Sequence, residues 1–184
     1  MVAAIPTLKT RRLILRPLDL CDIDSVQQVF PRWEIVEFMS KTIPWPYPAD
    51  GALKFIRDVA IPKMQEGTAW HWSIRPVEVP DRLIGVISLM DEPDNNRGFW
   101  LVPEWWGRGL TTEAARAVTD YWFETLGKSI LRVWKATANV QSRRISERSG
   151  MRIIASEDRD YVSGRLPAEQ WEMTRAEWRA TRRN

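Results

Sequence analysis

Two closely spaced glycines stand in Trp105-Trp106-Gly107-Arg108-Gly109-Leu110-Thr111-Thr112, where a strand-like run gives way to a helical one. Glycine lets the backbone turn sharply and approach an anion, and successive N–H groups with the positive end of a helix then bind it. Such a stretch can cradle a phosphate, and Arg108 adds a charge. It is not a Walker loop, which wants Gly-Lys-Ser/Thr after four intervening residues. Nor is it Gly-x-Gly-x-x-Gly, because no third glycine follows. Taken alone, the two glycines do not separate a cradle from a plain turn capped by Thr111 or Thr112.

Other chemistries are narrowed by what the chain lacks. A single cysteine, Cys21, excludes an intrachain disulfide, and one histidine, His71, leaves no Cys/His zinc site, so no metal is expected. Cys21 lies beside Asp19 and Asp22, with no Cys or His partner to activate it, and reads as a passive side chain. His71 alternates with Trp70 and Trp72 and so faces away from both indoles, as a structural histidine or as a base on the amine side of a cleft.

The chain has 184 residues, expected as one domain over 1–184, with 44% hydrophobic and 28% charged residues. Lys and Arg number 27 against 24 Asp and Glu, a net +3 that suits an anionic ligand. The pairs Arg11-Arg12, Arg143-Arg144 and Arg182-Arg183 are scattered among acids, so nucleic-acid binding is not expected. Acids by residue 19 and no apolar h-region argue against a signal peptide, and no apolar run approaches a membrane helix. A cytoplasmic, reducing location and a monomer or homodimer are expected. Eleven tryptophans against 3 tyrosines and 5 phenylalanines call for broad flat surfaces with partners for each indole N–H.

The elements that must position these residues follow from periodicity. Residues 8–18 alternate as a first strand, Asp19 to Phe30 and Asp50 to Gln65 carry helical stripes, and Pro44-Trp45-Pro46-Tyr47-Pro48 is a stiff aromatic loop. Strands are expected at 70–74, 83–90 and 98–102, a helix at 111–126 closed by Gly127, then strand 131–136, helix 140–149, strand 152–155 and a last strand around Trp171-Glu172-Met173. This order implies a mixed sheet with helices on its faces and a parallel crossover over 98–136.

Trp100-Leu101-Val102-Pro103-Glu104-Trp105-Trp106-Gly107-Arg108-Gly109-Leu110-Thr111-Thr112-Glu113-Ala114 resembles the acetyl-CoA motif of the GNAT N-acetyltransferase superfamily, in its ribosomal-protein N-terminal (alanine/serine) acetyltransferase branch. Asn139-Val140-Gln141-Ser142-Arg143-Arg144-Ile145-Ser146-Glu147-Arg148-Ser149-Gly150-Met151 and Thr10-Arg11-Arg12-Leu13-Ile14-Leu15-Arg16-Pro17 are similar to two further segments of that branch, in order and spacing. The resemblance spans most of the chain. It implies an α/β (α+β) acyl-CoA N-acyltransferase fold, with a mixed, mostly antiparallel sheet of about six to seven strands splayed between the fourth and fifth and about four helices.

The resemblance further implies an acetyl group passing from acetyl-CoA, a co-substrate, directly to a primary amine, either a protein N-terminus or a small molecule. Backbone amides of Trp106, Gly107, Arg108, Gly109, Leu110 and Thr111, with the Thr112 hydroxyl, would hold the pyrophosphate. Leu101 and Val102 would pair with pantetheine like an added strand, and Asn139 and Ser142 would meet it near the thiol. A backbone N–H near Leu101 would polarise the carbonyl, and Ser142 is the candidate acid for the departing thiolate or else a helix-face hydroxyl bonding the backbone. Where the family often carries a glutamate base, this chain has Asn96, which cannot take a proton. That departure keeps a non-catalytic acyl-CoA-binding or sensor protein as the alternative. Trp33, Trp45 and Tyr47 fall where the family places acceptor-side walls, or else they roof the core.

Overall fold

The computed structural model describes residues 5–182. The run expected as one strand is a hairpin of β1 (Leu8–Lys9) and β2 (Leu13–Pro17), because the Thr10 hydroxyl accepts the Leu13 N–H at 3.0 Å and turns the chain. A 3-10 turn, Leu20–Asp22, opens into α1 (Ile23–Val29), and α2 (Trp33–Val36) follows. The second expected helix is α3 (Gly51–Phe55) running through a π-helical turn, Ile56–Ala60, into α4 (Ile61–Glu66), which ends at Gly67 in the left-handed region.

Then come β3 (Ala69–Pro76), β4 (Gly85–Met90) and β5 (Arg97–Leu101), a 3-10 turn at Pro103–Trp105, and α5 (Leu110–Asp120) with a π-helical extension, Tyr121–Thr125. The chain closes with β6 (Ile130–Ala136), α6 (Val140–Arg148), β7 (Arg152–Tyr161), β8 (Gly164–Thr174) and α7 (Arg175–Thr181).

The expected single mixed sheet is two antiparallel sheets, in the orders β1-β2-β3-β4-β5 and β6-β8-β7. Among the described residues there are eight strands and seven α-helices, against the six to seven and four expected. The opening falls between β5 and β6, the fifth and sixth strands, because the first strand is two. The expected parallel crossover does not close into a ladder: the hairpin β7–β8 places β8 beside β6, and β5 keeps β6 only at one end.

β3 is buried along its whole length because both its faces are covered. Trp70, Trp72 and Ile74 point toward the α5 side, where Trp70 meets Trp122 edge-on at 6.3 Å and Trp72 meets Tyr121 at 5.4 Å between ring centroids. Burying each such side chain contributes on the order of 1.5–3 kcal/mol. The other face carries His71, Ser73 and Arg75. Arg75 is a buried cation and is fully engaged, with Asp22 at 2.5 Å, Ser73 at 3.1 Å and the carbonyls of Pro80 and Asp81 at 3.1 and 2.8 Å.

Candidate functional site

The two sheets are joined at the start of β5 and β6. The Asn96 N–H donates to the Arg132 carbonyl at 2.6 Å, and the Arg132 N–H donates to Asn96 Oδ1 at 2.8 Å. Next to this pair the Trp134 N–H donates to Asn95 Oδ1 at 3.2 Å. Beyond these bonds β5 and β6 diverge, and the edge of β5 is left open as one wall of a V. Asn96 Nδ2 meanwhile donates to the carbonyls of Met90, at 3.1 Å, and Glu92. Asn96 is therefore a brace whose amide is engaged at both ends.

Backbone direction along β5 follows from its inner neighbour. The Val102 N–H donates to Ile84 at 2.8 Å, so alternation turns the Phe99 and Leu101 N–H groups toward the V. The expected pantetheine edge is narrower than the sequence implied. The Leu101 carbonyl accepts the Trp106 indole N–H at 2.6 Å, and the Val102 carbonyl accepts the Trp105 N–H at 3.0 Å, which leaves the Leu101 N–H on that edge.

The glycine segment lies between the V and α5. Gly107 and Gly109 have φ of 74° and 73°, a region that L side chains enter at a cost of about 1–2 kcal/mol. Gly109 is itself the N-cap of α5, which begins at Leu110, one residue before the expected start, and neither Thr111 nor Thr112 caps the helix. The first-turn N–H groups of Leu110, Thr111 and Thr112 thus point outward without a side-chain cap, and Glu113 makes the first intrahelical bond, to Gly109 at 3.1 Å. This suits an anion. The Trp106 N–H does not join them, because it donates to Pro103 at 3.0 Å.

The cradle is held from beneath. Glu113 accepts the Thr10 hydroxyl at 2.6 Å, the Arg12 N–H at 2.8 Å and Arg12 Nε at 2.7 Å, while Arg12 Nη1 donates to the Arg108 carbonyl at 2.9 Å. Burial alone would raise the Glu113 pKa, but the Thr10 and Arg12 bonds outweigh it and hold the carboxyl below its usual range. The Arg108 guanidinium lies 4.8 Å over the Trp105 ring and donates to the Glu104 carbonyl at 3.1 Å, so it is parked beside the glycines.

Across the V stands α6. Its N-cap Asn139 accepts the Ser142 N–H at 3.1 Å, an arrangement that fixes the first turn. The Ser142 hydroxyl bonds a side chain the sequence reading overlooked, with Lys135 Nζ donating to it at 2.6 Å. Lys135 is 6% exposed and lies 4.9 Å from the Phe99 ring on the facing strand. The signal was available: Leu131, Val133 and Lys135 share one face of β6, so a lysine ends an apolar row. Burial first, and then the nearby Arg97 charge, push the Lys135 pKa well below the ordinary lysine value.

On the face of β5 opposite α5, Trp100 packs on Phe30 at 5.1 Å, and Phe30 meets Tyr47 edge-on at 4.9 Å. Tyr47 is half-buried, its hydroxyl pushed up to about 12 by burial, and a Cβ at Gly51 would come within 2.5 Å of its ring. Trp33 and Trp45 instead form an exposed pair with ring centroids 5.7 Å apart. His71 is 5% exposed, bonded through Nδ1 to Ser88 at 2.7 Å and covered by Phe55 at 5.6 Å. Among the described residues, no cluster of three or more His, Cys, Asp or Glu could hold a metal ion, and no helix is long and apolar enough to cross a membrane.

Comparison with known proteins gives the same arrangement a context. The acetyltransferase (GNAT) domain model matches residues 12–152. An uncharacterized N-acetyltransferase, p20, of Bacillus licheniformis is 32% identical over 128 residues, covering 65% of this chain and 67% of that one. A putative ribosomal N-acetyltransferase, YdaF, of Bacillus subtilis (strain 168) is 35% identical over 88 residues, or 45% of this chain and 48% of that one. Among solved structures, the ribosomal-protein-S5-alanine acetyltransferase from Vibrio fischeri superposes with a TM-score of 0.80 at 12% identity, over 95% of this chain and 99% of that one.

Proposed function

Because the chain belongs to the GNAT acetyltransferase domain family, we propose that it moves an acetyl group from acetyl-CoA directly onto a primary amine, either a protein N-terminus or a small-molecule amine. The observation that carries this reading is the open V between β5 and β6, with an uncapped helix N-terminus behind two left-handed glycines at its mouth. The residues fit acetyl-CoA. First-turn amides of α5 with those of Gly107 to Gly109 would hold the pyrophosphate, the Thr112 hydroxyl lies in the same turn, and the Leu101 N–H would meet the pantetheine arm.

At the wide part of the V, the Phe99 N–H would take up charge developing on the thioester oxygen as the amine attacks, and Ser142 would face the sulfur. Attack requires a neutral amine. Asn96 carries no exchangeable charge, so deprotonation would pass to water or precede binding. The ribosomal name of one relative supports a protein N-terminus as the first acceptor to try.

A second reading, a CoA-binding protein without turnover, is favoured by one observation, the engagement of the Asn96 amide as a brace. Purified protein mixed with acetyl-CoA and a panel of N-terminal peptides and small amines, followed by free-thiol release, separates the two. Acceptor-dependent thiol release supports transfer, and tight CoA binding with no turnover on any acceptor supports the second reading.

A further inference from the structure

Resting on the transfer reading, we propose that Lys135 and Ser142 form a proton relay to the sulfur that leaves the thioester. The Ser142 hydroxyl proton goes to the sulfur, and a proton from Lys135 Nζ refills the serine oxygen. Lys135 acts through Ser142 and is in that sense a positioning residue.

The place of Lys135 in the fold carries the argument. It follows Leu131 and Val133 on the buried face of β6, at the point where β6 has left β5, and it bridges the Phe99 ring of one wall and the Ser142 hydroxyl of the other. It makes no ion pair among the described residues. Its cross-strand neighbour Glu169 on β8 is held by Arg143 of α6, at 2.8 and 3.2 Å, and the charge facing it from β5 is Arg97, of the same sign. A buried cation without a counter-ion is costly, and methionine or leucine would fill the position with no such cost. The anion that would complete the site is the charge growing on the sulfur as the C–S bond breaks.

The chemistry balances. Attack of a neutral amine leaves the nitrogen with one proton more than the amide product holds and the departing sulfur with one fewer. The C–N bond forms, the C–S bond breaks, Ser142 O–H protonates the sulfur, and Lys135 returns a proton to Ser142. The surplus proton on nitrogen passes to water, and Lys135 regains one from water as products leave. A lysine at its ordinary value near 10.4 would hold its proton against a thiolate whose thiol ionises near 8.5, whereas one lowered by burial and by Arg97 gives it up more readily.

The test compares wild type with Lys135→Met, Lys135→Arg and Ser142→Ala, with melting temperatures as the check on folding. The first readout is the ionisation of the CoA thiol on the protein, followed by thiolate absorbance against pH. It should lie about a pH unit lower in wild type than in Lys135→Met. The second is turnover with the best amine: Lys135→Met should lose roughly 100-fold in kcat with the KM for acetyl-CoA changed less than threefold. Lys135→Arg should not rescue, because a guanidinium does not release a proton. Thiol release with an unshifted thiol titration, or kcat kept within threefold, overturns the relay while leaving the transfer reading intact. A thiol shift in a protein that acetylates no amine supports the contact between this pair and the sulfur and overturns the transfer reading instead.

Discussion

Asn96 and Arg132 exchange two hydrogen bonds, backbone to backbone at 2.6 Å and side chain to backbone at 2.8 Å, and this pair is where the five-stranded and three-stranded sheets are fastened. The amide of Asn96 imitates one rung of a ladder that the strands themselves do not form. A carboxylate there would keep the bond from Arg132 but would set its second oxygen against the carbonyls of Met90 and Glu92. Asn96→Asp should therefore cost about 1–3 kcal/mol at neutral pH. The sign with pH is definite. The introduced carboxyl would have a raised folded pKa, so the penalty belongs to its charged form and shrinks as acid protonates it. Urea melts of both proteins at pH 7 and pH 5 check this, and an equal loss at both would refute it.

The glycine cradle predicts a separation between folding and binding. At Gly109 a new Cβ meets nothing closer than Arg12 Nη2 at 3.6 Å, so Gly109→Ala should lose only the left-handed strain of about 1–2 kcal/mol. Gly109→Glu adds a carboxylate where the phosphates would lie and should weaken CoA binding at least 100-fold while melting close to Gly109→Ala. Calorimetric titration with CoA decides, and unchanged affinity in Gly109→Glu would place the cradle elsewhere.

The parts legible in the sequence were those whose signal is local. The strand at 97–101, the helix after Gly109 and the helix capped by Asn139 follow from apolar period, glycine and cap chemistry within a few residues. β7 and the first part of β8 escape the reading because period two marks a strand only when one face is buried: Arg152 to Asp158 are exposed throughout, and Gly164 to Pro167 pair with the far end of β7 without a buried face of their own. The opening of the sheets rests on Asn96 finding Arg132, 36 residues away. Lys135 was passed over because a lysine in a strand reads as solvated until the neighbouring walls are placed. The tryptophans resolve partly in the same way. Trp72, Trp122 and Trp178 are core residues whose N–H groups reach Pro6, Ile130 and Asp120 at 2.9, 2.8 and 2.9 Å, partners no local pattern reveals.

His71 makes acid stability predictable. Burial, and secondarily the Lys63 charge, lower its pKa from 6.5 to about 4. A histidine depressed in the folded state stabilises fully only above its unfolded value, and that contribution is lost as pH falls from about 6.5 toward 4. With one pKa unit equivalent to 1.36 kcal/mol, wild type should lose about 3 kcal/mol from this group between pH 7 and pH 4. In His71→Phe, which keeps the contact with Phe55, this component should be absent, so the stabilities of the two proteins should converge on acidification. Parallel pH dependences would refute the assignment.

Trp33 and Trp45 stand apart from the other aromatic residues of the acceptor-side expectation, because Tyr47 is tied into the core through Phe30 and Gly51 while this pair is exposed at 43% and 41%. Two solvent-facing indoles 5.7 Å apart contribute little to folding, yet they offer a flat apolar and cation-attracting wall to an incoming amine. Replacing both with alanine should leave the melting temperature within a few degrees and the KM for acetyl-CoA unchanged, while raising the KM for a cationic acceptor roughly tenfold, the effect of about 1.4 kcal/mol of lost contact. Tyr47→Ala should do the reverse, costing about 1.5–3 kcal/mol of stability, less than a fully buried aromatic would because the ring is half-buried. An acceptor KM that follows Tyr47→Ala and ignores the tryptophan pair would move the amine wall to the Trp100–Phe30–Tyr47 stack.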